Sequence, residues 1–572
     1  MHIARVVRKY KDREYVSWLL RRSFRDQGKV RHETLANLSA LPPAAIEALR
    51  AVLAGETLVG AGALWEIERS LPHGHVAAVW AMAHKLGLVR LLGPACVERD
   101  VALALIIARV CRPASKLATT RWWADTTIAA DLGVETVSTD EVYAAMDWLV
   151  GRQATIEKAL ARRHLADGAM VFYDLSSSWM EGTHCPLAAR GYSRDGKIGN
   201  TQIEYGLLTD HEGRPVSVEV FAGNTADPTA FISAVTTVTD RFGLTNVVMV
   251  GDRGMITSAR IDALRVLGGI DWVTSLRAPA VKALAESGVL QLSLFDDTNL
   301  AEITHPDYPG ERLVACRNPA LADERARKRN ELLAATEADL AAIHTATTRD
   351  RRPLRGQAEI GLRVGKIINR RKMAKHFQLT ITDTTLSYTR HQPNIDAEAA
   401  LDGIYVIRTS VTTEHLTTSN VVETYKNLAV VERDFRNIKT IDLDLRPIYH
   451  HLEDRVRAHV FICMLAAYLT WHLRQAWAPL CFTDETPPQR TDPVAPARTS
   501  TNAKTKASTK HTTNGHPAHN LATLLNHLAT LTRNTITFTT GTRINKLAVP
   551  TPLQRHAFEL IGTPIPLILT PT

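Results

Sequence analysis

The sequence predicts an α/β protein, a mixed sheet with helices on its faces, preceded by a mainly helical N-terminal region. Two short apolar runs carry this reading. Met170-Val-Phe-Tyr-Asp174 and Asn246-Val-Val-Met-Val-Gly-Asp252 each end in an acid and have the pattern of buried strands. The segment between them supplies the rest. Residues 204–210 and 215–221, around Gly213, predict a β-hairpin, and Asp227-Pro-Thr-Ala-Phe opens a helix with Asp227 as its cap. A helix over 258–267 and a third buried strand over 272–276 follow. Strand, hairpin, helix and strand in that order build a mixed sheet covered by helices.

The flanking regions are read the same way. Residues 1–42 predict a hairpin turning at Asp26-Gln-Gly-Lys and ending at Pro42-Pro43. Residues 44–165 read as helical, over 44–53, 75–86 and 99–110, with breaks at Pro72-His-Gly and Pro94. The stretch 115–123 combines basic and aromatic groups. It reads as a packed helix with a solvated basic face, Trp122 and Trp123 in the core, with a DNA-contacting surface as the competing reading. Residues 280–400 interrupt the sheet with a charged helix over 321–343 and a strand over 376–386; another strand follows over 403–408. Long helices return over 421–439 and 452–473. Residues 487–520 are rich in Pro, Thr, Ser and Ala and read as a flexible linker, and an apolar-periodic piece begins at Leu521. The expected organisation is an N-terminal hairpin and helical region (1–165), the first part of a catalytic core (166–280), an insertion (281–415), closing helices (416–480), a linker (481–520) and a small C-terminal segment (521–572).

Composition narrows the function. With 45% apolar residues the chain can bury a core, which excludes wholesale disorder. Lys and Arg number 68 against 59 Asp and Glu, and the net charge of +9 fits a polyanionic partner. The six cysteines form no CxxC or CxxH pair, which argues against a zinc site or disulfide framework and fits a reducing cytosol. The N-terminus lacks a signal-peptide core, and the longest apolar stretch, 460–473, is too short to span a bilayer, so a cytoplasmic protein without membrane contact is expected. No GxxxxGK[ST] motif points to an ATP-driven step, and no HExxH pair occurs; His450-His451 read as a surface pair.

The chemistry rests on acids. Functional groups gather at the carboxyl ends of strands in open α/β sheets, so Asp174 and Asp252 are placed to sit side by side. Paired carboxylates suit Mg²⁺ or Mn²⁺, and two such ions about 4 Å apart stabilise both oxygens of a phosphodiester displacement. Glu432 is the candidate third acid. At 100° per residue Tyr425, Glu432, Arg436 and Lys439 fall within about 60° of one another on a helix, putting an acid and two cations on one stripe.

These residues resemble bacterial insertion-sequence transposases of the DDE class. The resemblance runs through Asp174, Gly191-Tyr-Ser-Arg-Asp-Gly-Lys, Gly206-Leu-Leu, Phe221-Ala-Gly-Asn-Thr-Ala-Asp and Val250-Gly-Asp-Arg-Gly-Met. Tyr425, Glu432 and Lys439 fall on the family's Tyr-x2-Arg-x3-Glu-x6-Lys signature. The likeness covers roughly 165–475 and, more loosely, the N-terminal hairpin. It implies an RNase H-like core with a β-rich and helical insertion, in keeping with the 180 residues from Asp252 to Glu432 (432 − 252). It implies that Asp174, Asp252 and Glu432 hold the metal ions, Mg²⁺ with Mn²⁺ as substitute, and that Tyr425 and Lys439 contact phosphates of the element's ends. Leu428 stands where the signature has Arg, with Arg433 or Arg436 as substitutes. The implied partners are double-stranded DNA, as terminal inverted repeats and target, and a second copy of the chain in a synaptic homodimer.

Further DNA contacts are expected at Arg436 and Arg253. The cluster Lys366, Arg370, Arg371, Lys372, Lys375 and His376 is either a solvated charge run or a backbone contact. Asp210 reads as a turn residue and Asp227 as a cap, so neither is counted among the ligands. Two other functions compete: a transposase-derived DNA-binding protein without catalysis, and glycoside hydrolysis by paired carboxylates, which 6% aromatics and a basic charge disfavour.

Overall fold

The computed structural model describes residues 1–56, 64–181, 184–291, 295, 299–488 and 492–570. It divides into two compact units, Met1–Leu71 with Thr532–Val549, and Pro72–Leu531 with Pro550–Thr572.

The smaller unit begins with a three-stranded antiparallel meander, His2–Tyr10, Arg13–Asp26 and Lys29–Asn37, one strand more than the expected hairpin. Its second turn is the one read from Asp26-Gln-Gly-Lys: Gln27 and Gly28 both have positive φ (46° and 78°), as a two-residue turn matching the strand twist requires. A helix, Pro43–Leu53, follows. Trp65–Pro72, within the stretch read as helical, is a strand, and Trp65-Glu-Ile-Glu-Arg-Ser-Leu does alternate in the β manner. It joins Thr532–Phe538 and Arg543–Leu547 in a second three-stranded sheet, so the far end of the chain completes the N-terminal unit.

The larger unit is built on eight strands among the described residues: β1 Ala169–Trp179, β2 Gln202–Thr209, β3 Pro215–Ala222, β4 Val247–Val250, β5 Ile270–Ser275, β6 Leu300–Ile303, β7 Arg312–Arg317 and β8 Ile404–Thr409. Their order is β6-β7-β8-β5-β4-β1-β2-β3. β4 pairs in parallel with both β1 and β5, and every other pairing is antiparallel. The run β3-β2-β1-β4-β5 with these directions is the RNase H-like core, as expected. β1 does not stop at its acid but continues past Asp174 to Trp179.

The insertion extends this sheet rather than interrupting it, because β8, β7 and β6 add antiparallel to β5. The added edge is tied down by Glu311. Its fully buried carboxylate accepts from Arg408 (2.5 and 2.6 Å), Arg265 (2.7 Å) and the Trp272 indole (3.2 Å). The rest of the insertion has a core of its own. Helices Pro319–Thr348 and Gln357–Arg371 pack with the hairpin Phe377–Ile381/Leu386–Arg390 around Leu333, Leu340, Ile360, Val364 and Leu386. The single strand read over 376–386 is thus two, joined by a turn of threonines and an aspartate at 382–385.

Helices Gly74–Lys85, Val97–Cys111, Thr139–His164 and Glu453–Ala476 form a helical layer that reaches β3 of the sheet. Ser138 and Glu141 form a reciprocal capping box that starts the third of them. Glu453–Ala476 is long and apolar enough to cross a membrane, but its apolar window is 78% buried inside the protein, as a core helix is. The stretch expected as a flexible linker is packed where described. It carries a helix, Thr501–Thr509, and fully buries Val494, while the Lys506 ammonium is turned inward onto Glu485. Lys426 donates to the carbonyls of Val494 (2.6 Å) and Ala495 (3.1 Å).

Candidate active site

The register of three parallel strands positions the first two acids. Phe172 on β1 pairs with Val250 on β4, and Val250 pairs with Val273 on β5. Two residues further on stand Asp174 within β1 and Ser275 at the end of β5, while Asp252 lies two residues past the end of β4. β4 ends at Val250, and Asp252 turns the chain, its Oδ1 accepting from the backbone N–H of Gly254 and Met255, both at 2.9 Å. Asp174 Oδ1 accepts from its neighbour's N–H, Leu175, at 2.8 Å.

Glu432 arrives on a helix, Thr418–Arg436, which packs over β1, β4, β5 and β8 with Val421, Val422, Leu428, Val431 and Phe435 buried beneath it. Thr417 caps its start. Two turns before Glu432, the Tyr425 hydroxyl meets the Ser275 hydroxyl at 2.8 Å. Asp252, Tyr425, Leu428 and Glu432 line one cleft of about 370 Å³. Burial raises the Asp174 carboxyl to about 7, and the negative charges of Asp252 and Glu432 push in the same direction, against the Leu175 N–H and the Arg194 guanidinium.

Among the described residues none of these three acids makes an ion pair, whereas acids around them do. Asp227 and Glu204 share Arg194 (2.7 and 3.2 Å), Asp210 takes Arg214 (2.6 Å), and Asp195 takes Lys439 (2.9 Å) and Arg446. Asp227 is the first residue of its helix and makes no capping bond; the cap position is Ala226, so the cap reading is corrected to an ion pair. Among the described residues no three His, Cys, Asp or Glu side chains are drawn close enough to hold a metal ion by themselves. Three like charges without a counter-ion stand apart. The donor set is nonetheless all hard oxygen, and Asp174 sits where burial and two neighbouring anions call for a cation, which fits a divalent ion of the Mg²⁺ kind.

The remaining predicted residues divide. Arg436 and Arg253 are exposed, Arg253 bound through its carbonyl to Arg277 (3.2 Å). Lys439 does not share the Glu432 stripe. The helix passes into a π-turn at Asn437–Ile441, which changes the angular step per residue and turns Lys439 inward, its side chain 10% exposed against Asp195. Leu428, at the signature's Arg position, is buried. In the insertion, Arg370 and Arg371 both bind Asp339 (2.8 and 2.7 Å), and Lys375 and His376 bind Glu398, leaving Lys366 and Lys372 exposed. The residues missed by sequence reasoning are Arg194, Asp195 and Glu204. The signal for Arg194 and Asp195 is the charged turn Ser193-Arg-Asp-Gly-Lys, whose neutralising partners lie further along the chain; Glu204, within a strand, has none.

A sheet of this order, with Asp174 within β1 and Asp252 just past the end of β4, neither in an ion pair among the described residues, has the RNase H-like architecture. Residues 183–469, half of the chain, match the family model described as the transposase DDE domain, and the chain belongs to that family. Residues 3–61 match the N-terminal domain of IS1634 family transposases, which makes it an insertion-sequence transposase, a divalent-metal-dependent enzyme that cuts and transfers DNA. The matched DDE span contains Asp252 and Glu432 and begins just after Asp174. No curated protein matches. Among solved structures, a piggyBac transposase synaptic complex with hairpin DNA is a distant likeness, at 9% identity and a TM-score of 0.33, over 80% of this chain and 76% of that one.

Proposed function

We propose that Asp174, Asp252 and Glu432 are the three catalytic carboxylates, and that they hold Mg²⁺, two ions with Mn²⁺ as substitute, for DNA cleavage and strand transfer at the ends of an insertion sequence. The observation that carries this is the contrast in charge pairing. Among the described residues these three acids lack a basic partner, while Asp195, Glu204, Asp210 and Asp227 each have one. The bound ions supply Lewis acidity at the scissile phosphate. The chain's part is positional. β1 carries Asp174 and the turn after β4 carries Asp252, that turn fixes one Asp252 oxygen with two N–H groups and leaves the other for a ligand, and the Ser275–Tyr425 bond anchors the helix that presents Glu432. A first displacement leaves a 3′-hydroxyl at the element's end, and a second joins it to target DNA; neither needs a covalent protein–DNA intermediate.

In this reading exposed Arg253 and Arg436 meet the DNA backbone beside the acids, Tyr425 lines the cleft, and Lys366 and Lys372 offer a further basic surface, with Arg370 and Arg371 reaching it only by sharing their charge with Asp339. The N-terminal region recognises the terminal inverted repeats, two copies of the chain join in the synaptic complex, and the work is done in the cytoplasm at the nucleoid. The test is Mn²⁺-dependent cleavage of a duplex bearing the terminal repeats by wild type, Asp174→Asn, Asp252→Asn and Glu432→Gln. Each variant is expected to bind and to lose cleavage by on the order of 10⁴-fold, the scale of removing one member of a catalytic unit. A variant that cuts at near the wild-type rate removes its residue from the set.

A further inference from the structure

Beyond the acid site the larger unit has a second polar cavity, of about 450 Å³, lined by Arg109, Ser115, Lys116, Tyr143, Arg446 and His450 among others. Its inner wall is basic and buried. Arg109 and Lys116 are each 5% exposed, and neither makes an ion pair among the described residues. Arg109 donates to the carbonyls of Ala114 (2.9 Å) and Leu443 (3.3 Å). His459 Nε2 lies 3.0 Å from the Leu445 carbonyl, so it donates there and presents Nδ1 as acceptor to the Lys116 ammonium at 3.1 Å. That imidazole cannot balance a charge. Asp444, the acid on the rim among the described residues, is exposed, and Arg446 is already engaged by Asp195. Arg455, packed 4.2 Å from the Tyr143 ring, is nearest to Asp147 at 3.7 Å. The start of helix Lys116–Ala124, capped by Ser115, adds its positive dipole end.

Burying cations without a counter-charge is strongly unfavourable unless an anion is supplied. Two buried cations, Arg109 bonded to carbonyls and Lys116 to an imidazole, at a cavity open to solvent and beside a helix N-terminus form the chemistry of an oxyanion site. Its place suits a phosphate of DNA. Ile448, between the lining residues Pro447 and Tyr449, bridges to Met180 at the end of β1. Met180 lies six residues along from Asp174, about 20 Å at roughly 3.3 Å per residue. A duplex advances about 3.4 Å per base pair, so a phosphate about six base pairs from the reacting one spans that distance.

We propose that this cavity receives a backbone phosphate of the DNA being processed, held by Lys116 and Arg109. The proposal rests on the family's action on DNA and not on the roles of the three acids. It is tested with the full chain in metal-free buffer, where no cleavage occurs, by measuring affinity for a duplex carrying the element's terminal sequence across salt concentrations. Two variants are used: Lys116→Met, and Ser115→Asp, which keeps a good helix cap but places a negative charge at the mouth. Each is expected to weaken binding by up to about tenfold and to lower the slope of log affinity on log salt by about one, without lowering the melting temperature. Inorganic phosphate is expected to raise the melting temperature of the wild type and not of Lys116→Met. Slopes that superimpose on the wild type overturn the proposal. Stabilisation by phosphate with an unchanged slope also overturns it, and marks a free-anion site instead. Because Asp174→Asn should keep the wild-type slope, failure of the three-acid reading and failure of this one are separable.

Discussion

Lys439 is the residue on which the family signature and the structure part company, and replacing it by methionine decides between them. In the structure its ammonium lies 2.9 Å from Asp195, whose side chain is 2% exposed and also bound by Arg446. Removing one partner of a buried ion pair costs roughly 3–5 kcal/mol when the other is left alone. Asp195 keeps Arg446, so about half of that, ~2 kcal/mol, is the expected loss for Lys439→Met. Asp195→Asn leaves buried Lys439 and half-buried Arg446 both unbalanced and should reach the full range. At ~2.1 cal/mol/K per residue the larger unit has an unfolding entropy of roughly 1 kcal/mol/K, so these losses lower its melting temperature by about 2 °C and about 4 °C. The assay pairs thermal denaturation with the salt dependence of DNA binding. A buried, paired lysine should leave the salt slope at its wild-type value. A slope lower by about one with no change in melting temperature would refute the argument and restore Lys439 as a phosphate contact.

Two other consequences concern stability. Burial, reinforced by the charge of Arg109, holds the Lys116 ammonium at about 7, against an ordinary 10.5. Between those values the unfolded chain binds the extra proton, so stability should rise as pH goes from about 7 to 10.5, by at most roughly 5 kcal/mol, and a urea-midpoint series should lose that rise in Lys116→Met. At Gly403, which opens β8, φ is 75° and an added Cβ would stand 2.4 Å from the Asn318 carbonyl oxygen. Gly403→Ala should therefore cost about 1–3 kcal/mol, and an unchanged melting curve would show that the β8 entry relaxes freely.

The core was legible where local pattern and tertiary role coincide. Val171–Tyr173 and Val247–Val250 are apolar because both faces of their strands are covered, and that shows in sequence. Helix 258–267 was read to the residue for the same reason, its apolar positions spaced for one buried face. What failed was set by distant partners. The strand at Trp65 forms because residues 532–538 come back to it. Residues 481–520 look like a linker since single residues such as Val494 and Lys506, rather than a periodic face, do the packing. Lys116 sits in a stretch read as a solvated basic face, yet points inward, and His450, read as a surface residue, packs its ring against Tyr143 and His459 (6.0 and 5.3 Å). In the site, Asp174 and Asp252 stand out in sequence because each closes an apolar run, although β1 continues past Asp174 to Trp179. The loss of Lys439 from the stripe does not, because nothing in a helical-wheel projection announces a π-turn.

The insertion has two parts that do different physical work. β8 pairs with β5 so that Ile407 lies opposite Ser275, the residue that holds Tyr425. Arg408, next on the same strand, carries the Glu311 network that also binds Trp272 of β5. The strands of the insertion thus brace the wall of the cleft from which the Glu432 helix is hung, and loosening them would shift Tyr425 before it shifted Asp174. The helical part is different. Its own apolar core around Leu340 and Val364 lets it fold without leaning on the cleft, and its basic side chains are partly neutralised by Asp339 and Glu398. Damage to Glu311 should therefore reach catalysis through the site's geometry, whereas changes at Lys366 or Lys372 can act only through charge at the surface.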